Sequence, residues 1–178
     1  MVRLLTLKDL QTSLRMASDL VDEILAQWRK ERPDLDASPM GVIGRVARLY
    51  KYFQKSLADV FAEYGLNPGE FDVLATLRRS GEPYQLTPTE LYNSMMVSSG
   101  TMTNRIDKLE KMGLVERLAD ERDRRGTLIS LTDQGFELIE QAVNAHVENG
   151  HRLLSALEKT ELDDLARLMR QLLVSLEA

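Results

Sequence analysis

The run Ser98-Ser-Gly-Thr-Met-Thr-Asn-Arg-Ile-Asp-Lys-Leu-Glu-Lys-Met112 ends at Gly113. It leads through Leu114-Val-Glu-Arg-Leu118 to the tip Asp120-Glu-Arg-Asp-Arg-Arg-Gly126 and returns along Thr127-Leu-Ile-Ser-Leu131. Met102, Ile106 and Leu109 recur at steps of four and three, the period of one helix face. That spacing turns Thr101, Asn104, Arg105 and Lys108 elsewhere. Two apolar-alternating runs around a polar tip predict a β-hairpin. A short helix followed by a hairpin with clustered guanidinium groups suits a phosphate surface. The helix fits a major groove, and the tip can reach phosphates or a minor groove.

The stretches upstream support this reading. Thr87-Pro-Thr-Glu90 is a capping-box sequence with proline at the first helical position, and it opens a short helix ending near Met95 or Met96. Val97-Ser-Ser-Gly100 is the turn between the two helices. Asn67-Pro-Gly-Glu70 starts an earlier helix with Phe71, Leu74 and Leu77 inward, and Gly81-Glu-Pro83 ends it. Two short helices, a tight turn and a hairpin make a winged helix-turn-helix, expected over residues 67–131.

Long amphipathic helices flank this unit. Leu7, Leu10, Leu14, Ala17, Val21, Ile24 and Trp28 alternate steps of three and four, so an additional N-terminal helix is expected within residues 1–32. Ser38-Pro39 opens a helix over residues 38–64, with Ile43, Val46, Ala47, Tyr50, Leu57, Val60 and Phe61 inward. Residues 132–178 hold two more helices, one capped at Thr132 and one at Thr160. Phe136, Ile139, Val143, Val147 and Leu154 form the first apolar stripe; Leu162, Leu165, Met169, Leu172 and Leu176 form the second. The fold class is therefore mainly α with a small β-hairpin wing and helical dimerisation regions at both ends. Burial of the terminal stripes against a second copy is favoured over burial within one subunit, because twofold symmetry also matches palindromic half-sites.

Composition narrows the function. The chain has 178 residues, a net charge of −5 and no cysteine. Disulfides, zinc-thiolate sites and thiol redox sensing are excluded together. His146 and His151 are the only histidines and have no further ligands around them, so no metal and no resident cofactor are expected. No apolar run approaches a bilayer span, and no signal peptide is visible, which predicts a cytoplasmic protein without membrane contact. The acidic total disfavours nonspecific polyanion binding, yet Arg105, Lys108, Lys111, Arg117, Arg122, Arg124 and Arg125 form a local basic edge. No nucleophile–base pair or Gly-rich phosphate loop supports an enzyme. A winged-helix adaptor that binds protein is the weaker alternative.

The candidate DNA contacts are Ser98, Ser99, Thr101, Thr103, Asn104 and Lys108 on the helix, with Arg122, Asp123, Arg124 and Arg125 in the wing. Short hydroxyl and amide side chains near a helix N-terminus reach phosphates and base edges. A carboxylate beside an arginine can hold its planar fork in position.

Asp120-Glu-Arg-Asp-Arg-Arg-Gly-Thr-Leu-Ile-Ser-Leu-Thr-Asp-Gln-Gly135 closely resembles the wing signature of the MarR family of bacterial transcriptional regulators, and the resemblance extends over roughly residues 38–177. It implies a homodimer on a palindromic operator, usually repressing transcription, with Arg125 in the minor groove and Asp123 orienting it. The added N-terminal helix and Trp28-Arg-Lys-Glu-Arg-Pro-Asp-Leu-Asp-Ala-Ser-Pro-Met40 resemble the PecS-like, urate-responsive branch. That likeness implies a ligand site of Trp28, Asp72, Arg105 and Arg117 and release from the operator by urate or a similar small anion. Another purine or a phenolic acid would satisfy the same chemistry, since two guanidinium groups, a carboxylate and an indole select charge and planarity first. From the residues alone, a structural Asp72–Arg105 ion pair with Trp28 in the core is the competing reading.

Overall fold

A computed structural model describes residues 17–95, 102–120 and 126–178. Their elements run α1 (Leu20–Glu31), α2 (Ser38–Glu63), α3 (Pro68–Arg79), β1 (Gln85–Leu86), α4 (Pro88–Ser94), α5 (Met102–Lys111), β2 (Val115–Ala119), β3 (Thr127–Leu131), α6 (Asp133–Leu153) and α7 (Lys159–Glu177). This is the mainly helical class with a small wing that the sequence predicts. Two compact units divide the chain: residues 54–150, the winged unit, and residues 1–53 with 151–178, the helical unit.

Local chemistry sets the helix starts of the winged unit. Asn67 Oδ1 accepts from Glu70 N–H at 3.0 Å, and Glu70 Oε2 accepts from Asn67 N–H at 2.9 Å. Thr87 and Glu90 repeat the arrangement at α4, each helix carrying proline in its first turn. Such caps satisfy amides that the helix itself leaves open, each contributing about 1 kcal/mol. The core joins Leu74 and Leu77 of α3, Leu91 of α4, Leu109 of α5, Ile129 of β3 and Ile139 of α6, all fully buried. Each such side chain contributes about 1.5–3 kcal/mol through loss of apolar surface from water.

The sheet holds one strand more than the expected hairpin. β1 pairs with β3, which pairs with β2, all antiparallel; Leu86 lies opposite Ile129, and Ile129 opposite Arg117. β1 has two residues and therefore no readable alternation, so the sequence pattern passes over it. At the base of the wing, Thr132 Oγ1 donates to Gly113 O at 2.7 Å and accepts from Gly135 N–H at 3.0 Å. A Cβ on Gly135 would stand 1.9 Å from the Leu114 carbonyl oxygen, so this contact requires glycine.

The helical unit departs from expectation in three places. Among the described residues α1 begins at Leu20, and the expected stripe is interrupted at residues 17–19, because Asp19 adopts an extended conformation and caps the helix, its carboxylate accepting from Val21 N–H and Asp22 N–H. Leu7, Leu10 and Leu14 lie outside the described residues. α7 starts at Lys159, with Glu158 as N-cap and its N–H donating to Glu161 Oε2 at 2.9 Å, so Thr160 falls inside the first turn. The third departure is burial in α2, where Ile43, Val46 and Tyr50 are exposed rather than inward; α7 buries no residue within the single chain.

α1 packs on α2 through buried Val21 over Gly44 and Leu25 over Gly41, and ion pairs join the two helices at the surface. Arg45 Nε donates to Asp19 Oδ2 at 3.0 Å, and Arg45 Nη2 donates to Asp22 Oδ1 at 2.7 Å. The Asp19 backbone N–H, and next the Arg45 side chain, hold the Asp22 carboxyl below the usual carboxylate range. A groove of about 440 Å³ lies between these helices, lined by Val21, Ile24, Met40, Ile43, Gly44 and Arg48.

Candidate nucleic-acid interface and effector pocket

α5 is the helix that the winged arrangement offers to DNA. Its inward residues are Ile106 and Leu109, both buried, as the four-three spacing requires. Asn104 is exposed and Met102 half-buried. Two residues turn an α-helix by about 200°, and that arithmetic decides where its charged side chains go. Arg105 and Lys108 lie on the flank facing α3; Asp107 and Glu110, each two residues further on, lie on the opposite flank, facing the wing.

The α3 flank is closed. Lys108 Nζ sits 2.6 Å from Glu70 Oε1, and that carboxylate is only 2% exposed. Glu70 also accepts from the backbone and side-chain amides of Asn67. Buried charge with this many donors is a positioning device that fixes α5 on the start of α3. Arg105 lies in the same crevice: a Cβ on Gly69 would meet its Nε at 2.5 Å and its Cζ at 2.6 Å. A Cβ at 69 would push the guanidinium away from its present position on the first turn of α3.

The wing flank is open. Arg117 of β2 donates from Nη1 to Glu110 and from Nη2 to Asp107. All three side chains are between 32% and 45% exposed. Beside them a cavity of about 460 Å³ is lined by Arg117 with Tyr92, Met102, Thr103, Ile106 and Ile129 among its walls. Its surface is mostly apolar and Arg117 is the one charged residue among those lining it, which suits a flat organic anion.

Of the expected ligand residues, Asp72, Arg105 and Arg117 belong to the winged unit and Trp28 to the helical unit. Asp72 and Arg105 each have interactions within the folded chain, and one carboxylate oxygen of Asp72 is shut off from solvent. Arg105 lies against Gly69 of α3, whereas Arg117 is taken by Asp107 and Glu110. Of the expected DNA contacts, Thr103 and Asn104 are described on α5, and Thr103 also lines the cavity. Lys108 is committed to Glu70 rather than extended from the helix. Ser98, Ser99, Thr101, Arg122, Asp123, Arg124 and Arg125 lie outside the described residues. Sequence reasoning missed Asp107, Glu110 and Glu70. The first two were detectable, because acids three apart on α5 occupy one flank.

His146 of α6 packs against the core of the winged unit through Phe61 and Phe71. Its ring stacks 5.6 Å from Phe61 and lies 5.2 Å from Phe71, and its buried Nδ1 has no hydrogen-bond partner among the described residues. Burial pushes its pKa down.

A capped short helix, a second helix at its flank and a three-stranded wing define a winged helix-turn-helix DNA-binding protein. The comparisons with known proteins narrow that class. Residues 66–127 match the MarR family. The chain is 45% identical over 149 residues to the HTH-type transcriptional regulator PecS of Dickeya dadantii (strain 3937), spanning 84% of this chain and 90% of that protein. It is 32% identical over 136 residues to the transcriptional repressor MprA of Escherichia coli (strain K12), spanning 74% and 77%. A mutant MarR from E. coli complexed with operator DNA superposes with a TM-score of 0.65 at 26% identity, covering 88% of this chain and 99% of that one. Sco3205 of Streptomyces coelicolor, solved in complex with DNA, shares the fold with a TM-score of 0.72 at 22% identity over 81% and 91%. The chain belongs to the MarR family of DNA-binding transcriptional regulators, on its PecS-like branch. Its relatives regulate transcription and are not enzymes. No helix among the described residues is long and apolar enough to cross a membrane.

Proposed function

We propose that this regulator is a cytoplasmic homodimeric repressor, released from a palindromic operator by a small planar anion such as urate. The observation that carries the ligand reading is Arg117: a partly exposed arginine that lines a mostly apolar cavity and is tied at the same time to the DNA-reading helix. An anion that engages Arg117 acts on α5 directly. Trp28, Asp72 and Arg105, the other members of the ligand set that the family resemblance implies, do not line this cavity, and Arg105 lies against α3 on the opposite flank of α5.

The dimer reading draws on the helical unit. Val46, Leu49 and Tyr50 of α2 and Leu165, Leu168, Met169, Leu172 and Leu176 of α7 leave apolar faces open to water. Covering such faces with a second copy removes them from solvent and gives twofold symmetry to the reading helices. Coupling between ligand and operator is reciprocal and equals the ligand's preference for the DNA-free shape. Fluorescence anisotropy of the operator complex, titrated with urate, tests it. Saturating urate is expected to weaken binding by roughly 10- to 150-fold. Unchanged affinity rejects urate, and a response to a phenolic acid or another purine instead reassigns the ligand.

A further inference from the structure

We infer that Asp107 and Glu110 are built-in competitors for the effector. They occupy, from the DNA-reading helix itself, the guanidinium that the anionic ligand needs. This rests on the effector reading above and adds to it the element that transmits the signal.

Three observations meet here. Arg117 is held by two carboxylates of α5 at once, one on each terminal nitrogen. A fork bound on both prongs has its anion-binding geometry filled. The three side chains are all partly solvated, so exchange for another anion leaves no charge stranded in a dry interior. The cavity also runs up to Arg117 and is walled by Ile106 of α5 and Ile129 of β3. A flat anion can therefore bury its faces there while its charge takes Arg117.

The contrast with Lys108 sharpens the assignment. Its carboxylate partner is buried and held by other donors, so no ligand can take its place without exposing a charge to a dry interior. Arg117 carries no such penalty. With Arg117 on Asp107 and Glu110, α5 is pinned to the wing. With Arg117 on the ligand, two carboxylates come free on the flank of a helix that must approach phosphates, and α5 loses its ion-paired tie to β2 while the apolar packing of Leu109 and Val115 remains. Both consequences oppose DNA binding. The ligand's preference for the DNA-free shape then arises at a named pair of side chains.

The experiment uses the full-length protein and urate as probe, measured by calorimetry. It compares wild type, Arg117→Ala, Asp107→Asn, Glu110→Gln, the Asp107→Asn/Glu110→Gln double variant and Glu116→Gln. Glu116 is adjacent to Arg117 on β2 and, by strand alternation, on the other face, so it controls for general loss of negative charge. Removing the competitors is expected to tighten urate binding about 3- to 10-fold, with Glu116→Gln unchanged and Arg117→Ala strongly weakened. A merely structural role for the acids predicts weaker binding, so the gain itself is diagnostic. Binding by the double variant alone would support the inference, the wild-type acids masking the site. Wild-type binding that is equal or weaker in the double variant overturns the inference and leaves the effector reading standing. Binding by neither protein overturns both. Urate release of operator DNA, measured in parallel, should be blunted in the double variant despite its tighter binding; undiminished release would also overturn the inference.

Discussion

The winged unit and the helical unit are made from the same apolar residues and use them in opposite ways. In the winged unit, leucines and isoleucines from α3, α4, α5, β3 and α6 close on one another until several expose nothing. In the helical unit, α7 repeats leucine at helical spacing and buries none of it, while α1 meets α2 through Val21 and Leu25 over Gly44 and Gly41 and through Arg45 on Asp19 and Asp22. Identical periodicity thus marks a folding core in one place and an open face in the other. The amphipathic pattern says that a face will be covered, and only the surrounding elements say whether the chain itself covers it.

Mutations can break that contrast in a graded way. Leu74→Ala empties the centre of the winged unit and is expected to cost about 3–5 kcal/mol by urea denaturation. Gly135→Ala drives a methyl group into the Leu114 carbonyl and should cost about 3 kcal/mol, with the loss also visible as a lowered melting temperature. Lys108→Met leaves Glu70 buried without its ammonium; since Asn67 still donates, the expected cost is about 2 kcal/mol, accompanied by weaker operator binding. Leu172→Ala on the open face should change the chain's own fold by under about 1 kcal/mol. Its effect should instead appear as greater dependence of unfolding on protein concentration, the signature of a weakened assembly. A cost of several kcal/mol at Leu172 that is independent of concentration would erase the distinction between the units.

The smallest expected effect depends on pH. Because His146 has its pKa lowered by burial among Phe61 and Phe71, the folded chain resists protonating it. Its contribution is fully present above the unfolded value of about 6.5 and declines as pH falls from there towards the lower folded value. Denaturation midpoints compared at neutral and mildly acid pH should show this loss, and His146→Phe should remove that part of it. A wild-type midpoint that rises on acidification would contradict the assignment.

Much of the fold can be read from local chemistry. The boxes at Asn67–Glu70 and Thr87–Glu90, and the four-three spacing of Met102, Ile106 and Leu109, place α3, α4 and α5 without tertiary information. β1 is not readable, because two residues carry no period and their strand identity comes from β3 alongside. The break at Asp19 is hidden because a continuous three-four stripe outweighs one capping aspartate in the pattern. At the candidate site the sequence names Asp72, Arg105 and Arg117 as residue types, but not which neighbours hold each of them. Arg117 comes from a strand, and its approach to Asp107 and Glu110 depends on how the wing folds back over the helix. The closing of the Lys108 crevice depends similarly on Glu70, which reads in the sequence only as a capping residue.

The missing side chain at Gly135 has a mechanical consequence. With the Leu114 carbonyl pressed against the first turn of α6 and Thr132 stitched to Gly113, the root of the wing and the start of that helix form a locked elbow. Torque applied at β2 therefore has no slack to disappear into at this joint, and the opening residues of α6 must travel with it.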